Sequence, residues 1–181
     1  MGYCGGTKEK PTYYGLGDHT EAITIDYDPK VLSYEDLLGY FWRGHRCSSV
    51  NSSRQYRNAV FYRNDAQRVL AEASREAEAK RLGIAVGNVT TDIVPMGTFT
   101  YAEGYHQKYY LTRYDEIREF LQSTYPTSKG LADSTVATRL NAYLGSGMRL
   151  NWESFLKELP SYGLPEKIEM TLQGLAERAK S

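Results

Sequence analysis

Between Gly2 and Glu21 the chain reads GYCGGTKEKPTYYGLGDHTE, and five glycines with Pro11 in twenty residues rule out a helix there. Tyrosines, His19 and the carboxylate of Glu21 sit among those turns. Such a turn-rich segment builds sites more often than cores. The next residues predict where Glu21 points. Ile23, Ile25 and Tyr27 alternate with Thr24 and Asp26, the period of a half-buried strand, closed by the turn signal Asp28-Pro29. Glu21 shares the isoleucines' parity, so it is expected at the strand entrance on the apolar side. Lost solvation there favours a protonated carboxyl, a better proton donor near neutral pH. The ordinary alternative is a strand-end glutamate facing water.

At 181 residues the chain suits one domain of moderate size plus an extension. Lys and Arg number 22 against 22 Asp and Glu, with no basic block, so electrostatic binding to nucleic acid has no support. Sixteen tyrosines, some beside arginine as in Tyr56-Arg57 and Tyr62-Arg63, suggest stacking platforms, but the zero net charge argues against them. Buried tyrosines with polar partners explain the same composition. No stretch has the apolar length of a membrane span and no signal peptide precedes the glycine turn. A cytoplasmic location is the default expectation; mitochondrion or plastid stays open if a targeting sequence lies upstream. Cys4 and Cys47 are far apart and outside any CxxC pair, which points to a reducing compartment and against a structural zinc site.

The pattern along the chain is α+β. Ser33-Tyr34-Glu35-Asp36 resembles a capping box for a helix ending near Trp42, with Leu37, Leu38, Phe41 and Trp42 at helix spacing. Gln55 to Tyr62 predicts a buried strand. Asn64 caps a helix to about Arg81 with Val69, Leu70, Ala73 and Ala77 on one face and Gly83 as its stop. A short strand from Thr90 to Val94 ends at Pro95, and Ala102 to Leu111 reads as an aromatic helix carrying His106. From about Arg113 to Ser181 the chain reads as a helical extension. A turn-rich linker, STYPTSKG, precedes helical runs, and Ile168, Leu172, Leu175 and Ala179 form an apolar stripe after Pro165. The expected division is 1–112 and 113–181.

Six runs in this order carry a resemblance: GYCGG, PTY, GDHTE with the alternating strand and YDP, LSYEDLL with Phe41-Trp42 and His45, RQYRNAVFY, and YAEGYHQKYY. From Gly2 to Leu111 the chain resembles peptide methionine sulfoxide reductase A. The resemblance implies a two-layer, ferredoxin-like sheet with helices. It also implies reduction of the S epimer of methionine sulfoxide, free or in proteins, by attack of a cysteine thiolate on the sulfoxide sulfur. The oxygen must be protonated as it leaves, which requires a general acid and hydroxyl donors. Glu21 falls on the family's acid position, and Tyr13 and Tyr56 on its two hydroxyl donors. The resemblance implies a scaffold role for His106; His19 is expected to orient the turn beside Glu21, and His45 to end its helix near the negative end of the dipole. Asn51, or a neighbouring serine, falls near the family's catalytic-loop aspartate.

The family nucleophile lies in a Gly-Cys-Phe-Trp-Gly motif on a strand followed by a helix, ahead of the GYCGG run. That strand, helix and motif are therefore expected upstream of Met1, leaving the domain N-terminally truncated and inactive by itself. Phe41-Trp42 closes a helix and belongs to a core. Cys4 occupies the variable middle of the GYxGG turn. Cys47, flanked by His45 and Arg46, could gain thiolate character, but a free surface thiol without a catalytic role is the expected reading. No bound cofactor is expected; thioredoxin or another thiol would act as reductant, assisted by Cys47 or Cys4 if either resolves the sulfenic acid. The alternative is a non-catalytic relative that binds oxidised methionine or a protein partner.

Overall fold

The computed structural model describes residues 1–50, 53–146 and 151–179. The chain divides into two compact units, Met1–Ala102 and Glu103–Ser181. The architecture is α+β, with both sheets in the first unit.

Gly2–Cys4 forms β1, the centre of an antiparallel sheet flanked by β2 (Thr20–Ala22) and β5 (Thr100–Tyr101). The turn-rich opening thus begins with a strand that its glycines concealed. Tyr3 is completely buried with Leu16 and Ala102, and lies opposite Glu21 in the ladder. Gly5, at φ +73°, turns the chain out of β1, and a Cβ there would stand 2.4 Å from the Phe61 ring. At Gly6 a Cβ would stand 2.6 Å from the His19 backbone nitrogen. The Gly-Gly pair lets this loop close against residues 18–19.

The second sheet pairs β3 (Ala59–Tyr62) with β4 (Asp92–Pro95) in parallel. They are joined through helix α2 (Asp65–Leu82), as a parallel crossover requires. Asn64 caps α2 by accepting from the Gln67 backbone, and Gly83 ends it at φ +67°. Its buried residues are Ala71, Glu78 and Ala79, whereas Val69, Ala73 and Ala77 are exposed, so the expected face is rotated. Packing decided this. The preceding helix, α1 (Tyr34–Arg43), lies against α2, and Trp42 Nε1 donates to Ser74 Oγ at 2.8 Å. Glu78 tolerates burial because Arg81 donates to both its oxygens at 2.8 and 2.7 Å. The α1 start is the expected capping box, Ser33 with Asp36. Leu38 and Trp42 reach a core completed by Cys47, Val60, Ala71, Ala79 and Val89.

Two expected strands are shorter. Residues 23–27 belong to no strand, and Ile23 and Ile25 are 72% and 51% exposed. Alternation specifies a buried face only when a neighbour supplies the ladder, and the β1–β2 ladder ends at the Gly2–Ala22 pair. Gln55 and Tyr56 fall in a 3₁₀ turn, Arg54–Tyr56, and the strand begins only at Ala59. Between these stretches lies a cavity of about 700 Å³, walled by Ile23, Ile25 and Tyr27, by Leu38 and Phe41 of α1, and by Phe61 of β3.

The second unit is helical: α3 (Asp115–Thr124), α4 (Ser128–Asp133), α5 (Thr135–Gly145), α6 (Trp152–Glu158) and α7 (Glu166–Arg178). The expected helix from Ala102 to Leu111 is instead two 3₁₀ turns, Gly104–His106 and Tyr109–Arg113. Lys108 between them has φ +49°, which breaks any continuous helix, and its Nζ donates to Thr138 Oγ1. Leu111 joins this unit's core, so the aromatic run lies within the second unit. The α7 stripe is as expected: Ile168 and Leu172 are buried, and Leu175 and Ala179 pack against the same cluster. No helix among the described residues is long and apolar enough to cross a membrane.

Candidate active site

The Arg54–Tyr56 turn is fastened to the strand that ends in Glu21. Arg54 Nε donates to the Asp18 carbonyl at 2.6 Å, and Thr20 Oγ1 donates to the Arg54 carbonyl at 3.1 Å. Arg57 Nε donates to Thr20 Oγ1 at 2.8 Å while its Nη1 meets Asp92 Oδ2 of β4 at 2.7 Å, so one guanidinium ties the two sheets together. This fastening brings Gln55 and Tyr56 to the β2 edge. Gln55 Nε2 donates to Glu21 Oε1 at 2.6 Å and to Tyr56 Oη at 3.0 Å. Tyr56 Oη lies 3.4 Å from Tyr13 Oη.

Tyr13 arrives from a tight turn in which Thr12 and Gly15 exchange backbone hydrogen bonds, and its ring packs on the small core of Tyr3, Leu16 and Ala102. Glu21, Tyr13 and Tyr56, remote in sequence, thus form one hydrogen-bonded cluster through Gln55. Glu21 is half-buried and also borders the apolar cavity. The Tyr56 phenol is pushed up to about 12, first by its hydrogen bond to Tyr13, then by burial, the charge of Tyr13 and the charge of Glu21. It therefore stays a protonated donor throughout the neutral range.

The surrounding loop is preorganised. Asp18 accepts from the Thr7 and Lys8 backbone amides at 2.8 and 3.1 Å and from Thr7 Oγ1 at 2.9 Å, and these donors hold its carboxyl far below the usual carboxylate range. His19 Nε2 donates to the Lys8 carbonyl at 2.8 Å, fixing its tautomer and tying the turn beside Glu21. His45 Nδ1 donates to the Phe41 carbonyl at 2.8 Å at the α1 end, and Nε2 lies 2.8 Å from Thr91 Oγ1. His106 sits in the Gly104–His106 turn of the second unit, its ring 4.3 Å from Tyr105. Asn51 lies outside the described residues.

Both cysteines are unpaired and buried. Cys47 is 2% exposed in the Leu38–Trp42 core rather than the surface thiol expected, because its carbonyl accepts the Thr90 amide at 2.7 Å and draws the loop inward. Cys4, on β1 beside the cavity, has its thiol pushed up to about 11 by burial, partly opposed by Arg57. At neutral pH that keeps the thiol protonated. Among the described residues no group of three or more His, Cys, Asp or Glu side chains is placed to hold a metal ion.

Comparison with known proteins places the whole chain. The family profile described as peptide methionine sulfoxide reductase matches residues 1–134. The chain belongs to that family. It is 38% identical over 165 residues to the peptide methionine sulfoxide reductase of Drosophila melanogaster, covering 91% of this chain and 64% of the relative. It is 36% identical over 147 residues to peptide methionine sulfoxide reductase A5 of Arabidopsis thaliana, covering 78% and 56%. With the MsrA of Methanosarcina acetivorans it shares 39% over 132 residues, covering 68% and 67%. The chain thus spans between about half and two thirds of the length of these curated relatives.

Sequence reading missed the residues that assemble the cluster. The pattern from Gln55 to Tyr62 reads as a strand, and nothing in RQYR distinguishes a strand start from a 3₁₀ turn. Asp18 carried the one usable signal, since an aspartate after glycine in a turn commonly accepts backbone amides.

Proposed function

We propose that this chain supplies the sulfoxide-binding and proton-donating part of a peptide-methionine (S)-S-oxide reductase, acting on oxidised methionine in proteins or as the free amino acid. The observation that carries this reading is the Glu21–Gln55–Tyr56–Tyr13 cluster, one carboxyl and two phenols joined by hydrogen bonds, with Glu21 also bordering an apolar cavity. A sulfoxide oxygen held there would receive hydrogen bonds from the phenols and a proton from Glu21, while the methionine methyl and methylene groups face apolar wall. A cysteine thiolate attacks the sulfoxide sulfur, forming a sulfur–sulfur bond as the protonated oxygen departs as water; water then attacks the cysteine sulfur and breaks that bond, releasing the thioether and leaving a sulfenic acid. Two reducing equivalents from external thiols, as thioredoxin supplies, then return the cysteine with release of water. No bound cofactor enters this scheme. Two unpaired thiols favour a reducing compartment, and cytoplasm is the location we assign.

The nucleophile is the remaining part. Cys4 offers almost no thiolate and Cys47 is enclosed in a core. We assign the nucleophile to a Gly-Cys-Phe-Trp-Gly strand outside residues 1–181, as the family resemblance implies. The cavity supports this: its walls include the unladdered stretch 23–27 and β3, whose one sheet neighbour among the described residues is β4. A strand added there would complete a larger, ferredoxin-like sheet.

The test compares residues 1–181 with the same chain extended at its N-terminus by a strand and helix carrying that motif. With dithiothreitol, the short chain should give no methionine from methionine S-sulfoxide, and the extended chain should reduce the S epimer alone. Robust turnover by the short chain that disappears in Cys47→Ser would reject our assignment. An extended chain that binds sulfoxide without reducing it would favour the non-catalytic binding role.

A further inference from the structure

Every side chain of the cluster except one already has a place in the chemistry above. The exception is Gln55, which hydrogen-bonds to both the carboxyl and a phenol. A side-chain amide nitrogen carries two protons and accepts none, so its contacts dictate polarity. One proton goes to Glu21 Oε1 at 2.6 Å, which commits that oxygen as an acceptor and leaves Oε2 to carry the acid proton. The other goes to Tyr56 Oη at 3.0 Å, so this oxygen accepts from Gln55 and its own proton turns away from Gln55. The opposite amide orientation would present the Gln55 carbonyl oxygen instead. Glu21 and Tyr56 would then both have to donate to Gln55, leaving neither proton for a ligand.

We propose that Gln55 is the positioning residue of this site, setting the hydrogen-bond direction so that Glu21 and Tyr56 both present protons to a bound sulfoxide oxygen. The inference rests on the sulfoxide reading above. Its framework is rigid where it must be. The carbonyl of Arg54 accepts from Thr20, the Arg54 guanidinium grips the Asp18 carbonyl, and Arg57 holds Thr20 from the other side. Gln55 therefore reaches Glu21 from a backbone locked to the strand that carries Glu21. A freely moving glutamine would lose rotamer entropy on making two bonds; one anchored on both flanks has its backbone cost already met.

A structural filler would predict none of the following, so the experiment uses the full chain and two readouts. In NMR spectra of the Gln55 side-chain amide, Glu21→Gln should displace one of its two proton resonances and Tyr56→Phe the other. In binding measurements with methionine S-sulfoxide and with methionine, Gln55→Glu should weaken the sulfoxide about tenfold, because the new carboxylate accepts the protons the sulfoxide needs. Methionine, which has no oxygen to hold, should change by less than about twofold. Gln55→Met, which removes the donor without adding an acceptor, should fall between parent and Gln55→Glu. Equal weakening of both ligands, or unchanged sulfoxide binding in Gln55→Glu, would overturn the proposal. If the parent chain fails to prefer sulfoxide over methionine, the sulfoxide reading fails, while the two-resonance pattern still judges the role of Gln55 in ordering the cluster.

Discussion

In the second unit twelve apolar side chains, from Leu111 to Ala176, are buried in one continuous cluster. In the first unit the buried apolar residues separate into a cluster around Trp42 and a smaller one around Tyr3, with an apolar cavity of about 700 Å³ left between strand and helix. The candidate site lies in the less filled of the two units. Helices that close on their own apolar stripes leave few half-buried polar groups. Short strands joined by turns leave many, and there the half-buried Glu21, Gln55 and Tyr13 meet the exposed Tyr56. The difference teaches that this cluster is held by backbone anchored through specific hydrogen bonds rather than by bulk burial.

The largest test of this contrast is Glu21→Gln in the extended, nucleophile-bearing chain. General acid catalysis is typically worth about 10²–10⁴-fold, and single-turnover reduction should fall by that amount with the melting temperature unchanged. Tyr13→Phe and Tyr56→Phe should each cost less, since one phenol can still hold the oxygen. A Glu21→Gln protein that reduces sulfoxide at the parent rate across neutral pH would remove Glu21 from the mechanism.

Next in size is Leu172→Ala in the second unit. Leu172 is completely buried, and such truncations cost about 2–5 kcal/mol. The melt of that unit should drop sharply while NMR signals of Glu21, Gln55 and Tyr56 stay in place. Movement of those signals would show that the site relies on packing in the helical unit.

Acid sensitivity should follow Asp18. Its folded pKa is depressed by backbone donors from Thr7 and Lys8, so its contribution is complete above the unfolded value of about 3.9 and is lost as pH falls below it. Protection of the Thr7 and Lys8 amides, relative to intrinsic exchange at each pH, should fall as pH drops below about 4, earlier than in the helical unit. Asp18→Asn should quicken the same amides at neutral pH. If both units loosen together in acid, the anchoring role given to Asp18 is wrong.

The smallest effect belongs to Ile23→Ser. At 72% exposure the change should stay within about 0.5 kcal/mol in residues 1–181, and binding of a hydrophobic dye should decrease. In the extended chain, where a strand would cover the cavity wall, the same substitution should cost on the order of 1–2 kcal/mol. Equal costs in both proteins would mean that the added strand lies elsewhere.

Some features were legible in the sequence because they are local. The Ser33 capping box, the Asn64 cap, the Gly83 stop and the Ile168–Leu172–Leu175–Ala179 stripe depend on neighbours within a turn or two, and all are present. The three residues carried over by resemblance, Glu21, Tyr13 and Tyr56, meet in one cluster. Other features were hidden. β1 exists because Gly2–Cys4 finds partners on both sides, at Thr20–Ala22 and at Thr100–Tyr101, which no window of glycine-rich sequence discloses. Ile23, Ile25 and Tyr27 have the right alternation and no ladder.

By itself the sequence determined where α1 begins, where α2 begins and ends and which stripe α7 buries, because caps, stops and periodicity act through contacts a few positions away, and its family resemblance nominated Glu21, Tyr13 and Tyr56. Only the tertiary structure decided that α2 turns Ala71 and Ala79 inward rather than Ala73 and Ala77, that Cys47 is enclosed, and that Gln55 joins Glu21 to Tyr56. Those outcomes depend on long-range partners, Trp42 for Ser74, Thr90 for Cys47 and Thr20 for Arg54, and a hydrogen bond across tens of residues leaves no periodic trace in the chain.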